Sequence, residues 1–572
     1  MSARKKRWVV RDPAPPDFLA SLPDYLPVVA TLLYQRELRD PQSITAFLTP
    51  DYRSGTHNPF LMHGMETAAR RIAAAIDAGE PIAVYGDFDT DGVTAVALLM
   101  QAISAIGGNI QPYIPHRLRE GYGLNNEAID QLITQGVRLL VTVDCGISNV
   151  HEVAHAQAAG LDVIVTDHHT PPELLPAAFA VINPKQPGCA YPYKQLVGVG
   201  IAYKLIQALA RLGLRMPLRG RDLLDLVALG TVADLGPLTG ENRVLVRAGL
   251  EAINSTQRPG LRALIVAAGL VQGRIGASDI GFMLGPRLNA AGRLDDARLA
   301  YQLLLADDFA TAQQLAAELN QANQRRQELT KTIQTAARAQ IEALGKQTNR
   351  IIVLDDEGYP SGVVGLIAAR LVEDLGRPVL LLERGEPTSR GSARSVPGFN
   401  IIEALTACGD LFVRYGGHSA AAGFTIATER LPELEARLLQ YAEAHLPEAL
   451  LVPALEIDAE VALGELSWEL LEQIRMLEPF GQANPEPVFM SRRVRVAGAW
   501  AKGAENQHLK LRLVDERGGS AYDAIAFRLG HLAGYFERHP QLAIDIAYTL
   551  EANEWNGSRA LQLNIRDLRR VQ

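Results

Sequence analysis

The chain has 572 residues, 48% of them hydrophobic and 21% charged, with a formal net charge of −8. This length predicts three or four domains of an ordinary soluble globular protein, and the negative charge excludes a globally basic nucleic-acid binder. No uncharged apolar run is long enough to span a membrane, and three cysteines without metal-finger spacing fit a reducing cytoplasm, so we expect a cytoplasmic protein without a membrane partner.

The N-terminal half of the sequence alternates between strand and helix patterns. Residues 1–55 predict a helical lead-in with an irregular, proline-rich start. The predicted strands that follow are Ile82–Tyr85, Ile110–Ile114, Leu139–Val143 and Asp162–Thr166, with helices between them. Alternation of this kind predicts a parallel, doubly wound sheet, and we assign residues 56–300 to this α/β domain. The apolar segment Leu223–Ala228 fits either a helix or a strand.

Acidic and imidazole side chains follow three of the predicted strands. They are Asp87, Asp89 and Asp91 after the first strand, Asp144 after the third, and Asp167, His168 and His169 after the fourth. Parallel strands end on one edge of a sheet, so we expect these groups, together with Asp234 after the ambiguous segment, to converge there. Three carboxylates on one turn repel each other unless a cation neutralises them, which favours a metal site over a solvated acidic turn.

The donor set indicates which metal this site would hold. Several carboxylates with imidazole and no thiolate favour Mn²⁺ or Mg²⁺. The stretch Asp87–Gly92 begins like a calcium loop, but Leu98 occupies the position that needs a bidentate glutamate, and a strand precedes the loop. Asp144 is placed to bridge two ions that would activate water for attack on a phosphoester. One of His168 and His169 is predicted to bind metal and the other to orient substrate or donate a proton.

The C-terminal half predicts a long helix and two further domains. Ala306–Leu344 contains neither Gly nor Pro and predicts a connecting helix within residues 301–347, either as a strut or with Gln324–Gln327 touching DNA. Residues 348–446 predict a smaller α/β domain. From residue 455 to 572, short strands predict a small β-barrel: Leu509–Leu513, Tyr522–Phe527, Ile544–Leu550 and Leu561–Ile565, with a hairpin turn at Asn556-Gly557.

Such a barrel could bind single-stranded nucleic acid. The segment 491–572 has 13 Lys and Arg against 9 Asp and Glu, so it is basic within an acidic chain. Its aromatic residues are candidates for stacking on bases or, alternatively, for the barrel core: Phe480, Phe489, Trp500, Phe527 and Trp555.

Four motifs carry a resemblance to a known family. They are Asp87-Phe88-Asp89-Thr90-Asp91-Gly92, Val143-Asp144-Cys145-Gly146, Asp167-His168-His169 and Thr231-Val232-Ala233-Asp234. They resemble the motifs of the DHH phosphoesterase superfamily, and the chain from Trp8 onward is most similar to its RecJ family of bacterial single-stranded-DNA-specific exonucleases. The resemblance implies that two divalent ions, Mn²⁺ or Mg²⁺, bind to Asp89, Asp91, Asp144, His168 and Asp234. It places Asp87 and His169 in the same catalytic site.

The resemblance also implies substrate contacts. Gly285–Leu294 is similar to a stretch characteristic of the family, and its arginines Arg287 and Arg293 are candidates for phosphate contacts or, alternatively, solvated side chains. Arg117 lies in a loop with two arginines after the second predicted strand. Two later stretches resemble a DHHA1 domain, and this implies that the end of the nucleic acid or the scissile phosphate contacts Ser392, Arg394, Gly416, Gly417 and His418. The resemblance supports an OB fold for the barrel.

Together these expectations describe a metal-dependent 5′–3′ exonuclease that degrades single-stranded DNA to mononucleotides in repair and recombination. Its direction comes from the resemblance alone. A monomer is expected, with a single-strand-binding protein and a RecQ-type helicase as partners by family analogy. Three alternatives remain: a DHH-family phosphodiesterase for short oligonucleotides or cyclic dinucleotides, a non-catalytic replication-associated DNA-binding protein, and a pyrophosphatase.

Overall fold

The computed structural model of the chain describes residues 6–117, 119–294, 296–515, 519–540, 542–555 and 557–571. The chain divides into two compact units. The first unit comprises residues 50–333 and 479–484, and the second comprises residues 1–49, 334–478 and 485–572. Among the described residues, no helix has the length and apolar character needed to cross a membrane.

The elements are numbered in chain order. Those that begin before residue 334 are β1 (Arg7–Val10), α1 (Pro16–Ala20), α2 (Pro27–Gln35), α3 (Pro41–Leu48), α4 (Met65–Asp77), β2 (Ile82–Gly86), α5 (Thr90–Ala105), β3 (Ile110–Tyr113), α6 (Asn126–Thr134), β4 (Leu139–Val143), α7 (Val150–Ala158), β5 (Asp162–Thr166), β6 (Ala180–Ile182), α8 (Gly198–Arg211), α9 (Leu224–Ala233), α10 (Gly240–Ser255), α11 (Pro259–Ala267), α12 (Ala277–Asp279), α13 (Gly285–Leu294), α14 (Arg298–Leu304) and α15 (Phe309–Ala343). A π-helical turn, Ile280–Leu284, joins α12 to α13.

The remaining elements belong to the second unit. They are β7 (Ile352–Asp356), α16 (Ser361–Leu375), β8 (Val379–Glu383), β9 (Thr388–Arg394), α17 (Ile401–Thr406), β10 (Phe412–His418), β11 (Ala421–Ala427), α18 (Leu431–His445), β12 (Ala454–Ile457), β13 (Ala459–Glu460), α19 (Trp468–Arg475), β14 (Phe489–Lys502), β15 (His508–Val514), β16 (Ala521–Ala526), α20 (Ala533–Arg538), β17 (Ala543–Trp555) and β18 (Ser558–Arg570).

The first unit is built on a parallel sheet with the strand order β3-β2-β4-β5-β6. Strands β2 and β4 are buried along their whole length, since one core packs helices such as α5 and α8 on one face and another packs α6 and α7 on the other. This is the predicted doubly wound sheet. The strand order reverses between β2 and β4, and ligands of open α/β sheets bind at the carboxyl ends beside such a point. The ambiguous segment is helix α9.

The smaller α/β domain of the second unit has a mixed sheet with the order β10-β11-β9-β8-β7. Only β7 and β8 are parallel; the other neighbours are antiparallel. Helices α17 and α18 cover one face, where their apolar residues share a core with β8, β9 and β11. Helix α16 packs against β8 and β9. The predicted long helix is present as α15, and the division between the two units falls within it.

The C-terminal strands form the predicted barrel. Its order is β14-β15-β16-β18-β17, and pairing of β14 with β17 closes it. The lead-in contains helices α1 to α3, as expected, but β1 was not predicted: Arg7–Val10 pairs in parallel with Ala454–Ile457. Because β1 is stabilised by a partner strand far along the chain, its own short sequence does not predict a strand. Of the predicted Asn556-Gly557 turn, Asn556 lies outside the described residues.

Candidate metal centre

The turn after β2 holds its carboxylates through backbone amides. Asp89 caps α5, and its Oδ1 accepts hydrogen bonds from the backbone N–H groups of Asp91 (2.8 Å) and Gly92 (3.1 Å). The buried carboxylate of Asp91 accepts from the N–H groups of Gly198 (2.6 Å) and Val199 (2.8 Å), at the start of α8. A helix N-terminus carries a partial positive charge, so α8 fixes this carboxylate and offsets part of its charge.

His168 lies at the centre of the converging carboxylates. Its Nε2 is 3.0 Å from Oδ1 of Asp144, 3.7 Å from Oδ2 of Asp234 and 3.9 Å from Oδ2 of Asp91. Asp144 follows β4 with a left-handed backbone (φ 60°), and Asp234 caps the end of α9. The structure therefore brings Asp234 into the site from a helix end, whereas the other acids come from strand ends.

Asp167 orients the two histidines. Its Oδ1 accepts from the backbone N–H groups of His168 (2.7 Å) and His169 (3.1 Å) and lies 2.7 Å from Nδ1 of His169. Its Oδ2 accepts from the N–H of Ile147 at 3.0 Å. With both oxygens engaged, Asp167 supports the ring of His169 and the backbone of His168, a role that the motif alone did not reveal.

The arrangement fits divalent cations. In three sets of residues the donor atoms lie within 4.8 Å of one another: Asp87, Asp89 and Asp144; Asp91, His168 and Asp234; Asp144, His168 and His169. Oδ1 of Asp87, Oδ1 of Asp144 and Nε2 of His168 are buried and have no hydrogen-bond partner within the described part of the chain. Buried polar atoms are normally satisfied, so these orphaned atoms are what a cation site requires. All residues predicted as ligands lie in these sets, as do Asp87 and His169.

Burial and mutual repulsion dominate the electrostatics of the site. Burial, and then the charge of Asp89, raise the pKa of Asp87 well above its usual value and the pKa of Asp91 to about 7. The pKa of Asp234 rises to about 9 for the same reasons, with Asp91 the main neighbouring charge. Burial, and then His169, lower the pKa of His168 to about 3. His168 is therefore a neutral imidazole whose Nε2 lone pair is available to a metal.

Metal binding should consequently depend on pH. In the unfolded chain an Asp carboxyl loses its proton above a pKa of about 3.9. In the folded protein Asp91 keeps its proton up to a pKa of about 7 and Asp234 up to about 9. The stability that these protons give to the metal-free protein is therefore lost as pH rises through those two values. We expect Mg²⁺ to raise the unfolding temperature more at pH about 8 than at pH about 6, because fewer protons must be displaced. Thermal melts with and without Mg²⁺, against KCl at equal ionic strength, measure this. Equal shifts at both pH values would contradict it.

Two glycines allow the elements of the site to approach closely. A Cβ on Gly198 would lie 2.6 Å from Cβ of Asp144 and 2.9 Å from Oδ2 of Asp91. A Cβ on Gly230 would lie 2.4 Å from Oγ1 of Thr94 and 2.9 Å from Oδ1 of Asp91. Sequence reasoning missed both positions, and only the Gly-x-Gly start of α8 offered a weak signal.

The stretch Gly285–Leu294 supports the acidic turn. It forms α13, from which Oδ1 of Asn289 accepts the N–H of Thr90 at 2.8 Å. The guanidinium of Arg287 bonds Met283 O (2.7 Å) and Asn320 Oδ1 (3.0 Å), and Arg293 lies near the end of the same helix. Asn289 thus helps to hold the metal-binding turn, and phosphate contact by Arg287 and Arg293 stays a prediction.

The loop after β3 also reaches the site. The Arg117 guanidinium lies 4.7 Å from the ring centre of Phe88. Burial lowers the pKa of Arg117, and the charges of Asp87 and Asp89 offset only part of that effect. The hydroxyl of Tyr122 is 3.1 Å from Nδ1 of His169. Although burial alone would lower it, contact with Asp167 raises the pKa of His169, which favours the protonated ring. Tyr122 was not among the sequence candidates.

Four of the five predicted DHHA1 residues lie on one sheet face of the second unit. In register across β9, β11 and β10, Ser392 lies level with Gly416, and Arg394 lies level with His418. Nη1 of Arg394 donates to Oγ of Ser392 at 2.8 Å. Gly417 has a φ of 149°, and a Cβ there would collide with the backbone of β11. Gly417 lies between these positions, so four residues from two separate motifs form the patch.

The aromatic candidates in the barrel divide clearly. Phe489 is fully buried, so of its two predicted roles the barrel core applies and stacking on bases does not. Trp500 is 46% exposed and Phe527 is 54% exposed, so both can meet a ligand. Phe480 is partly buried, and the side chain of Trp555 lies outside the described structure.

Comparison with known proteins places these features in a family. Family models match at residues 81–231 ("DHH family, N-terminal domain"), 348–444 ("DHHA1 domain") and 457–567 ("RecJ OB domain"). A Bacillus subtilis protein named single-stranded-DNA-specific exonuclease RecJ is 39% identical over 99% of this chain and 71% of its own length. RecJ from Thermus thermophilus matches in two crystal structures that each cover 99% of this chain, one with Mn²⁺ (34% identity, 80% of that chain, TM-score 0.83) and one with Mg²⁺ (32%, 79%, 0.77).

Proposed function

The chain belongs to the RecJ family, and on that premise we propose that it removes nucleotides from the 5′ end of single-stranded DNA. It is a metal-dependent exonuclease, and its cofactors are Mn²⁺ or Mg²⁺. The observation that carries this conclusion is the position of Asp144. It shares one donor set with Asp89 and lies 3.0 Å from His168, which belongs to the set with Asp91 and Asp234, so its carboxylate is placed to serve two neighbouring cations.

The residues of the centre have distinct proposed tasks. When bound, two divalent cations supply the positive charge that activates water and stabilises charge on the cleaved phosphodiester. Asp89, Asp91, Asp144, His168 and Asp234 hold these cations. Asp91 is kept in place by the N–H groups at the start of α8, and His168 by the backbone contact with Asp167.

His169 is the proposed proton donor to the leaving oxygen. Its Nδ1 faces Asp167, which favours the charged ring and leaves Nε2 to carry the transferable proton. Asp87 has an unpartnered buried oxygen and joins the donor set with Asp89. Arg117, on the ring of Phe88, is suited to the charge of an incoming phosphate. Arg287 and Arg293 are proposed to contact the phosphates of the single-stranded DNA only through the ends of their side chains.

The biological setting follows from the family. We propose that the protein acts in DNA repair and recombination as a cytoplasmic monomer, with a single-strand-binding protein and a RecQ-type helicase as partners. Release of mononucleotides and the 5′–3′ direction are proposals as well. A co-purification that recovers neither partner would count against the partnership without touching the chemistry.

The direct test uses one oligodeoxynucleotide labelled at either end and incubated with Mn²⁺. A 5′ label should appear at once in a mononucleotide, a 3′ label should appear in gradually shortening fragments, and duplex should be spared. Hydrolysis of dinucleotides alone would favour the short-oligonucleotide phosphodiesterase, and no hydrolysis at all would favour the non-catalytic binding protein.

We expect Trp500→Ala and Phe527→Ala to weaken binding of long single strands. Loss of base stacking costs about 1–3 kcal/mol per base, which is roughly 5- to 150-fold in Kd. Trp500 stands opposite Lys510 across β14 and β15, so a stacked base and its phosphate would have adjacent partners. Binding of long oligonucleotides and kcat on a dinucleotide separate the barrel from the chemistry.

The matched control is Trp468→Ala, because Trp468 is 37% exposed but carries the Arg559 guanidinium 4.4 Å from its ring centre. Equal weakening by all three variants would argue that the exposed barrel aromatics have no special role.

A further inference from the structure

Three rows of residues cross the outer face of β9, β11 and β10. The register aligns Arg394, Ala421 and His418 in the first row, Ser392, Gly423 and Gly416 in the second, and Arg390, Thr425 and Arg414 in the third. The first two rows contain four of the five predicted DHHA1 contacts, and Gly417 lies between the rows. The third row has no assigned role, yet it continues the same face by two residues along each strand, about 7 Å.

This face is open to solvent where β11 and β10 form it. Side chains alternate along strands, and the residues between the rows, Ala393, Ala422 and Phe424, are buried on the opposite face. Arg390 and Arg414 are exposed, and neither forms an ion pair within the described ranges. Nε of Arg414 donates to Oγ1 of Thr425 at 3.4 Å, which directs the arginine across the sheet.

The middle row is a glycine floor, formed by Gly416 and Gly423. A Cβ on Gly416 would meet no atom within 4 Å, and one on Gly423 would meet only the carbonyl oxygen of Gly391 at 4.0 Å. Neither glycine has a positive φ. Neither the backbone conformation nor the packing requires glycine at these two positions. The absence of side chains therefore leaves room for a ligand to contact the protein backbone directly.

We propose that Arg390 and Arg414 form a second phosphate subsite, which binds the phosphate adjacent to the one held by the first two rows. This inference rests on the proposed function and extends it: the single strand runs along β9, β11 and β10, with its backbone over the glycine floor. An extended nucleotide chain advances by a distance similar to the row spacing. Two guanidinium groups that approach one phosphate from opposite sides supply planar, charge-assisted hydrogen bonds.

The first test removes the charges. Arg390→Gln, Arg414→Gln and the double variant should bind a labelled oligodeoxythymidylate more weakly, and the slope of log K against log salt should become shallower by about 0.7 for each phosphate on a single strand that the variant no longer neutralises. Arg370→Gln is the matched control, since Arg370 is an exposed arginine on α16 of the same domain. An unchanged slope in the double variant, or an equal change in the control, would overturn the proposal.

An uncharged linkage in place of one phosphate shows which phosphate of the oligonucleotide occupies the subsite. Oligonucleotides that carry one methylphosphonate should bind wild type more weakly at one particular linkage, and the double variant should no longer distinguish that oligonucleotide from the unmodified one. If the double variant still bound the modified oligonucleotide more weakly by the same factor, the subsite would be refuted. If wild type bound and cleaved no single strands at all, the proposed function itself would fail, which is a different outcome.

A third variant fills the floor without removing charge. Gly423→Val should melt at or above the temperature of wild type, because valine suits a strand and meets open space. It should nevertheless weaken oligonucleotide binding by about tenfold or more, since the valine side chain would occupy the space proposed for the sugar-phosphate backbone of the oligonucleotide. Unimpaired binding by a folded Gly423→Val protein would contradict a strand lying on the floor.

Discussion

Replacing Asp144 with Asn is expected to lower kcat/KM on single-stranded DNA by at least about 1000-fold, because cations supply several kcal/mol of transition-state stabilisation and each 1.36 kcal/mol is tenfold. Asp144 belongs to two of the three donor sets and is 3.0 Å from His168, so its replacement should affect both cations. Asn is preferable to Ala because it tolerates the left-handed φ of 60° at this position. End-labelled oligonucleotide hydrolysis with Mn²⁺ measures the effect.

The same substitution should stabilise the protein without metal. Burial, and then the charges of Asp91 and Asp89, raise the pKa of Asp144 well above its usual value, so the carboxylate is unfavourable in the folded state when no cation is present. A neutral amide removes that repulsion, and the metal-free melting temperature should be equal or higher. Asp77→Asn, at an exposed carboxylate on α4, is the control and should change neither quantity. Full activity of Asp144→Asn would refute the site assignment.

Substituting Gly198 with Ala is expected to lower metal affinity and kcat/KM by about 100-fold, which is the upper end of the range for losing the support of a ligand. The added Cβ would lie 2.6 Å from Cβ of Asp144, and the helix start would have to move away. That movement would lengthen the hydrogen bonds from Gly198 and Val199 to Asp91. Calorimetric titration with Mn²⁺, followed by hydrolysis at saturating metal, separates affinity from chemistry.

Gly200→Ala supplies a close control for this experiment. It is the same substitution two residues further along α8, where the atom nearest the added Cβ is a methyl group at the end of the Leu196 side chain, at 3.3 Å. Alanine inside a helix is favoured over glycine by up to about 1 kcal/mol, so this variant should be as stable as wild type or more stable and fully active. If both alanine variants behaved alike, close approach at Gly198 would not matter to the centre.

Local pattern was sufficient for most of the architecture. Strands β2, β4 and β5 are apolar runs that end at Asp87, Asp144 and Asp167, and the rule that parallel strands end on one edge was enough to place these acids together. The long helix followed from a stretch without Gly or Pro. These predictions succeeded because hydrophobic periodicity and helix-breaking residues act within a few residues of each other.

Other features were invisible to such reasoning because they depend on partners far along the chain. The segment Leu223–Ala228 is apolar except for Asp225, and only its burial among other helices shows that it leads into and forms helix α9. Strand β1 exists through its pairing with β12. Phe489 and Trp500 occupy the same strand, and only barrel closure turns one ring inward and leaves the other exposed.

The sequence by itself determined the chemistry available to this protein: which carboxylates and imidazoles follow which strands, and which family such motifs resemble. Tertiary structure alone decided how that chemistry is held in place. The N–H groups of Gly198 and Val199 bind Asp91 from more than a hundred residues away, and Asn289 accepts a hydrogen bond from Thr90. Arg390 on β9 and Arg414 on β10 lie in the same row only because β11 pairs with both strands. The reason is physical: side-chain identity is a local property, whereas burial, register and close approach exist only once distant segments have packed.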